Sequence, residues 1–207
     1  MFKVQKITAP EGRVRIQDPP VARFLFQSTG VAAWAWLLVR VWLGYQWLTS
    51  GWGKFTNPDW MDGSGKAILA FWQRVAAIPQ PPARPAITYD WYRDFIQFLI
   101  DSNSAGWFSY VLVFGELAVG LGLILGAFVG LAAAGGLTMN TAFLLAGTTS
   151  TNPILGAAAL LLVLAWKNAG YLGLDRYLLP LLGTPWRQPR VPRAGAAGAL
   201  TPASVAG

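Results

Sequence analysis

The chain has 207 residues and contains neither histidine nor cysteine. Without them it has no disulfides, no thiolate or imidazole metal ligands, no cysteine-held iron–sulfur cluster and no histidine-ligated haem. No metal is expected in this chain, so any redox chemistry must use a bound organic cofactor, a quinone, or metal centres on another subunit. Nucleotide signatures are missing too. The GSGKA segment at Gly63–Ala67 lacks the earlier glycine and the Ser/Thr after lysine that a phosphate loop requires, and GLGLILG at Gly120–Gly126 has the wrong spacing for a dinucleotide fingerprint. Charge is scarce as well: 12% of residues are charged against 54% hydrophobic, a balance that belongs to integral membrane proteins rather than to soluble domains of this length.

The net charge of +7 is gathered at the two ends. Lys3, Lys6, Arg13, Arg15 and Arg23 precede the first apolar run, and Lys167, Arg176, Arg187, Arg190 and Arg193 follow the last. Basic flanks beside membrane segments follow the positive-inside rule and place both termini in the cytoplasm of a multi-pass protein of the inner (plasma) membrane. Attraction to anionic membrane lipid accounts for the charge, and no nucleic-acid partner is expected. Residues 1–29 read as a basic cytoplasmic arm, with Pro10, Pro19 and Pro20 and no helical period. The arm is too long and too charged for the n-region of a cleaved signal, so the first span is an uncleaved anchor.

Four apolar runs follow, giving an all-α fold: an integral membrane four-helix bundle over residues 30–186. The runs cover about Gly30–Ser50, Ser104–Gly126, Val129–Ala146 and Ile154–Asn168, the last opened by Asn152 as N-cap and Pro153 at the first helical position. Between the first two lies a long extracytoplasmic insertion, residues 55–104, carrying short interfacial helices. Lys66–Ile78 is one. Thr88 caps a second, in which Trp91, Phe95, Phe98 and Leu99 share a face that lies along the membrane interface, roofs the bundle, or packs as ordinary loop. Asp175 caps a short interfacial helix after the last span, and the Pro/Ala/Gly-rich tail, residues 187–207, is expected to be disordered unless a partner holds it.

Three polar residues interrupt the apolar runs. Counting about 1.5 Å per residue from the end of each run puts Arg40, Glu116 and Asn140 all near the membrane midplane, so the guanidinium is expected to pair with the Glu116 carboxylate on the neighbouring span. Trp47 and Lys54 follow Arg40 at steps of seven along one face, flanked by Tyr45 and Gln46. Such a constellation either fastens the helices together or lines a functional cavity. In the second case Arg40 and Glu116 are the catalytic pair, and Tyr45, Gln46, Trp47, Lys54 and Asn140 line the quinone or substrate pocket. The remaining tryptophans fit interfacial belts.

Read in order, VRVWLGYQWLTSGWGKF, FGELAVGLGLILG and STNPILGAAALLLVLAWKNAGYLGLDRYLLP resemble the DoxX/DoxD-like family of small membrane proteins over most of residues 31–180. The resemblance implies a four-helix membrane bundle and points to the DoxD-type subunit of thiosulfate:quinone oxidoreductase, which works beside a DoxA-like subunit. This chain has no DoxA-like region. On that reading Arg40 donates to a quinone carbonyl, Glu116 moves protons, Tyr45 and Trp47 pack on the ring, and Lys54 attracts an anionic sulfur substrate. The alternative is a non-catalytic accessory subunit of a larger respiratory or photosynthetic electron-transport complex; a small transporter is the weaker third reading.

Overall fold

A computed structural model describes residues 18–184 of the protein. Among these residues there are helices and no strands, in the order α1 Pro20–Gln27, α2 Val31–Phe55, α3 Pro58–Met61, α4 Lys66–Ala76, α5 Asp90–Asp101, α6 Ala105–Leu125, α7 Val129–Leu145, α8 Asn152–Leu164, α9 Trp166–Gly170 and α10 Asp175–Leu181. The all-helical class read from the sequence is the class observed. The tail beyond Thr184 and the arm before Asp18 lie outside the described residues.

Several boundaries differ from the sequence reading. The N-terminal arm was expected to have no helix, yet α1 forms directly after Pro19, with Pro20 in its first turn where the missing N–H costs nothing. Two turns are too short for a periodicity to register. The first span runs on through Gly51 and Gly53 to Phe55 instead of stopping at Ser50. Each glycine costs a helix about 1 kcal/mol relative to alanine, but Gly51 faces Leu117 so closely that a Cβ there would sit 3.0 Å from it, and this packing offsets the cost. Thr88 is not a cap: α5 begins at Asp90 after Tyr89, with no side-chain cap. Asn152 is the first residue of α8 rather than its cap, and its amide donates to the Thr148 carbonyl at 2.9 Å.

The four longest helices pack in a ring: α2 on α6, α6 on α7, α7 on α8 and α8 back on α2. Leu43, Val119, Leu123, Ala133, Ala159 and Leu162 fill its centre. A second core, containing Ile68, Trp72, Ile87, Tyr92, Ile96 and Leu99, forms where α4 and α5 lie over Ala105 at the start of α6 and Ala146 just past α7. The Tyr92 hydroxyl ties this layer down by donating to the Ala142 carbonyl at 2.9 Å, and burial pushes its pKa above the ordinary phenol value. α4 and α5 therefore form a roof on the ends of α6 and α7.

Among the described residues, α6 alone is long and apolar enough to cross a membrane by itself. α1 and α2 pass the same test only together, across a 59° bend, and α7 and α8 are apolar but shorter. Large apolar side chains nonetheless face outward around the ring, among them Leu38, Val41, Val111, Leu121, Leu131 and Leu160. An exposed apolar belt of this extent is unusual for a protein surrounded by water.

The contact between α2 and α6 is backbone-close. A Cβ on Gly120 would lie 2.6 Å from the Leu48 amide nitrogen, whereas Gly53, also helical, has nothing within 4 Å. Gly120→Ala is expected to cost about 1–3 kcal/mol by overpacking, while Gly53→Ala is neutral or slightly stabilising. Melting temperatures of the two variants in one detergent check this; equal values would mean the helices are not in this register.

Candidate functional site

Arg40 and Glu116 are both buried to 1% exposure, but they do not meet. The expected Arg40–Glu116 pair is corrected by the helix register. With α2 and α6 antiparallel and Gly44 set against Gly120 and Ile124, Arg40 lies against Gly126 and Glu116 lies two to three turns away, near Lys54. Counting depth from the ends of the apolar runs treats those ends as level. They are not: Gly126 at the end of α6 meets Arg40, well inside α2, so the first turns of α2 project beyond α6.

Arg40 instead joins the ring to the segment after α9. Its Nη1 donates to the Ala169 carbonyl at 3.1 Å and its Nη2 to the Leu172 carbonyl at 3.2 Å. Carbonyls at the end of a helix carry partial negative charge, so they suit a guanidinium. Asp175, fully buried nearby, adds a favourable Coulombic interaction with it. Gly126, in the left-handed region at φ +69°, and Gly173 leave the room, since a Cβ on either would collide with the guanidinium. Asp175 does not cap its own helix. Its carboxylate accepts from the Phe128 and Val129 amides at 2.6 and 2.9 Å, capping α7 from 46 residues away. Sequence inspection has no signal for so distant a cap.

The remaining polar residues surround a cavity of about 660 Å³ between the two cores, within the range of small-molecule sites. Glu116 forms its charged wall. Lys54 Nζ donates to both carboxylate oxygens, at 2.9 and 2.7 Å, and to the Ser50 hydroxyl at 2.7 Å. The ammonium also lies 5.5 Å from the centre of the Trp60 ring. All three of its donors are thus engaged, and charge-assisted bonds of this kind are the stronger class. Lys54 retains 20% exposure where its partner has 1%, so it stands between the buried carboxylate and the surroundings.

Beside this pair the wall carries two polar groups without partners. Trp47 Nε1 and both amide atoms of Asn140 are buried with no hydrogen bond from the protein. They adjoin: Gly136, one turn before Asn140, is the position at which a Cβ would come within 3.0 Å of Trp47 Nε1. A buried unmatched donor or acceptor costs about 1–3 kcal/mol, which a ligand bonding to it would recover. Gln46 also lines the cavity. Tyr45 does not; it points outward at 60% exposure. The structure thus brings together Gln46, Trp47, Lys54, Glu116 and Asn140 and leaves out Arg40 and Tyr45. Sequence reasoning missed Ser50, one turn before Lys54, and the roof residues Phe71, Trp72, Tyr92 and Phe95 that close the cavity.

The DoxX family model matches residues 35–149, more than half the chain, including most of α2, the roof, α6 and α7. No curated protein and no solved structure matches the chain.

With Arg40 placed as a fastener, Arg40→Met strands Asp175 and the carbonyls of Ala169 and Leu172. Removing one member of a buried ionic cluster costs about 3–5 kcal/mol. The variant is expected to melt markedly lower and to be cut by protease in the turn after α9; wild-type melting and protease resistance would contradict the role.

Proposed function

The chain belongs to the DoxX family, and from that premise we propose that it is a membrane subunit of a quinone-linked oxidoreductase. The ring helices α2, α6, α7 and α8 span the bilayer as a four-helix bundle, with the roof on the extracytoplasmic side and both termini in the cytoplasm. The outward apolar side chains of the ring support this, as do the basic residues at both ends of the sequence.

The observation that carries the reading is the adjoining pair Trp47 Nε1 and Asn140, unmatched on the wall of an otherwise aromatic and aliphatic cavity. An indole N–H and a carboxamide offer donors and an acceptor to a carbonyl or hydroxyl of a flat ring, while Phe108, Leu112, Met139 and Phe143 supply apolar contact. Quinone, when bound, supplies a two-electron, two-proton acceptor. The chain's own part is to orient the ring through Trp47 and Asn140, exclude water, and hold protonatable groups beside it. Glu116 is the proton carrier and Lys54 balances its charge. Arg40, held by the α9 carbonyls, positions helices rather than substrate. Thiosulfate as electron donor and a DoxA-like subunit as partner follow from the DoxD-type resemblance.

The accessory-subunit reading has one observation in its favour: with no histidine or cysteine in the sequence, any metal relay must sit on another chain. The two readings separate in one experiment on the purified protein in lipid nanodiscs. The combined change Trp47→Phe with Asn140→Leu removes all three unmatched atoms. At about 1 kcal/mol net per hydrogen bond, binding of a short-tailed benzoquinone is expected to weaken tenfold or more. Glu116→Gln is expected to abolish quinone reduction by the assembled complex while binding survives. Unchanged binding in the double variant removes the quinone site; unchanged turnover with Glu116→Gln in a stoichiometric complex leaves the accessory role.

A further inference from the structure

α5 is divided lengthwise into three sectors. Tyr92, Ile96 and Leu99 are buried against the ring. Trp91, Phe95 and Phe98 form a second sector, exposed at 62%, 45% and 64%. Asp90, Asp94, Gln97 and Asp101 form the third, exposed on the face turned away from the ring. At about 100° per residue the aromatic sector lies beside the buried one and the acidic sector lies nearly opposite it. A helix of this design rests at a membrane interface, its rings in the hydrocarbon and its carboxylates in water.

Phe95 belongs to two of these settings at once: it is exposed on the aromatic sector and it lines the cavity. None of the acidic residues of α5 lines the cavity. Phe95 therefore brings the cavity wall to the aromatic sector of α5. The cavity wall also carries Phe71, with the Arg74 guanidinium 5.8 Å from the centre of its ring. An arginine lying over an aromatic at that level has its charge in the headgroup zone and its stem on apolar surface. Polarity inside the cavity is graded to match. Trp47, Asn140 and the Lys54–Glu116 pair come from the ring helices, whereas the α4 and α5 side is aromatic and aliphatic apart from Arg74 on α4.

We propose that the cavity is filled from the bilayer by an amphiphile that passes Phe95 head first, sets a hydrogen-bonding head against Trp47 and Asn140, and leaves a hydrocarbon or isoprenoid tail in the lipid beside α5. The substrate class is thus tail-bearing and lipophilic, and a small water-soluble ligand does not use this route. The inference rests on the membrane setting proposed above and not on the identity of the head as a quinone.

The absence of native cysteine makes the test clean, because each introduced thiol is the only one in the chain. Leu112→Cys places a thiol on the cavity wall, and Asp94→Cys places one on the acidic flank of α5. Sealed liposomes holding the full chain are treated with a charged methanethiosulfonate added to the water, or with an N-alkylmaleimide dissolved in the lipid. Leu112→Cys is expected to react at least tenfold faster with the lipid-borne reagent, relative to the rates at Asp94→Cys, and adding Phe95→Trp should slow that reaction severalfold. Labelling of Leu112→Cys by the charged reagent as fast as Asp94→Cys overturns the proposal, and so does labelling by neither reagent. Phe108→Cys repeats the measurement from the same wall if Leu112→Cys does not fold. Protection of the thiol by a short-tailed benzoquinone reports separately on the quinone reading, so route and ligand can fail independently.

Discussion

The relative heights of Arg40 and Glu116 are set by how closely α2 and α6 approach. Glycines at positions 44, 51 and 120 let the two backbones come together, and only one register satisfies all three contacts. That register sends Arg40 to the end of α6 and brings Glu116 level with Lys54. Two separate buried polar arrangements result. One is fastened by helix-end carbonyls and Asp175, the other by a lysine with three acceptors and an aromatic ring.

The cavity follows from the way the two cores are built. The ring is filled by side chains from its own helices, and the roof by α4 and α5 packing on the ends of α6 and α7. Neither core supplies the side chains that would fill the seam between them. Trp47 stands at the border: it is buried in the ring core, it lines the cavity, and its N–H has no protein partner. A polar floor under an aromatic ceiling follows from joining a charged ring interior to an amphipathic roof.

The helical class, the apolar runs and the cavity residues Gln46, Trp47, Lys54, Glu116 and Asn140 were legible in the sequence, because apolar length, isolated polar residues and sevenfold spacing are local properties. Trp47 and Lys54 share a face for any straight helix, and both do line the cavity. Asn140 was legible as a polar residue in an apolar run. The partner of Arg40 was not, since pairing across helices depends on glycine contacts that shift the register by whole turns. Tyr45 illustrates the same limit on a smaller scale: it neighbours Gln46 in sequence, but a 100° step turns it outward. Asp175 is the clearest loss, for its side chain serves a helix that begins 46 residues earlier.

That long-range cap also orders events during synthesis. The first turn of α7 has two amides whose acceptor lies beyond α9, so they have no protein partner while the ribosome makes the intervening residues. At about 5–20 residues per second the interval lasts a few seconds. The same stretch delivers the carbonyls that receive Arg40, so α2 and α7 are both anchored by the last described part of the chain to emerge. The ring is thus latched from its final turn, and its earliest helix waits longest for the bonds that hold it.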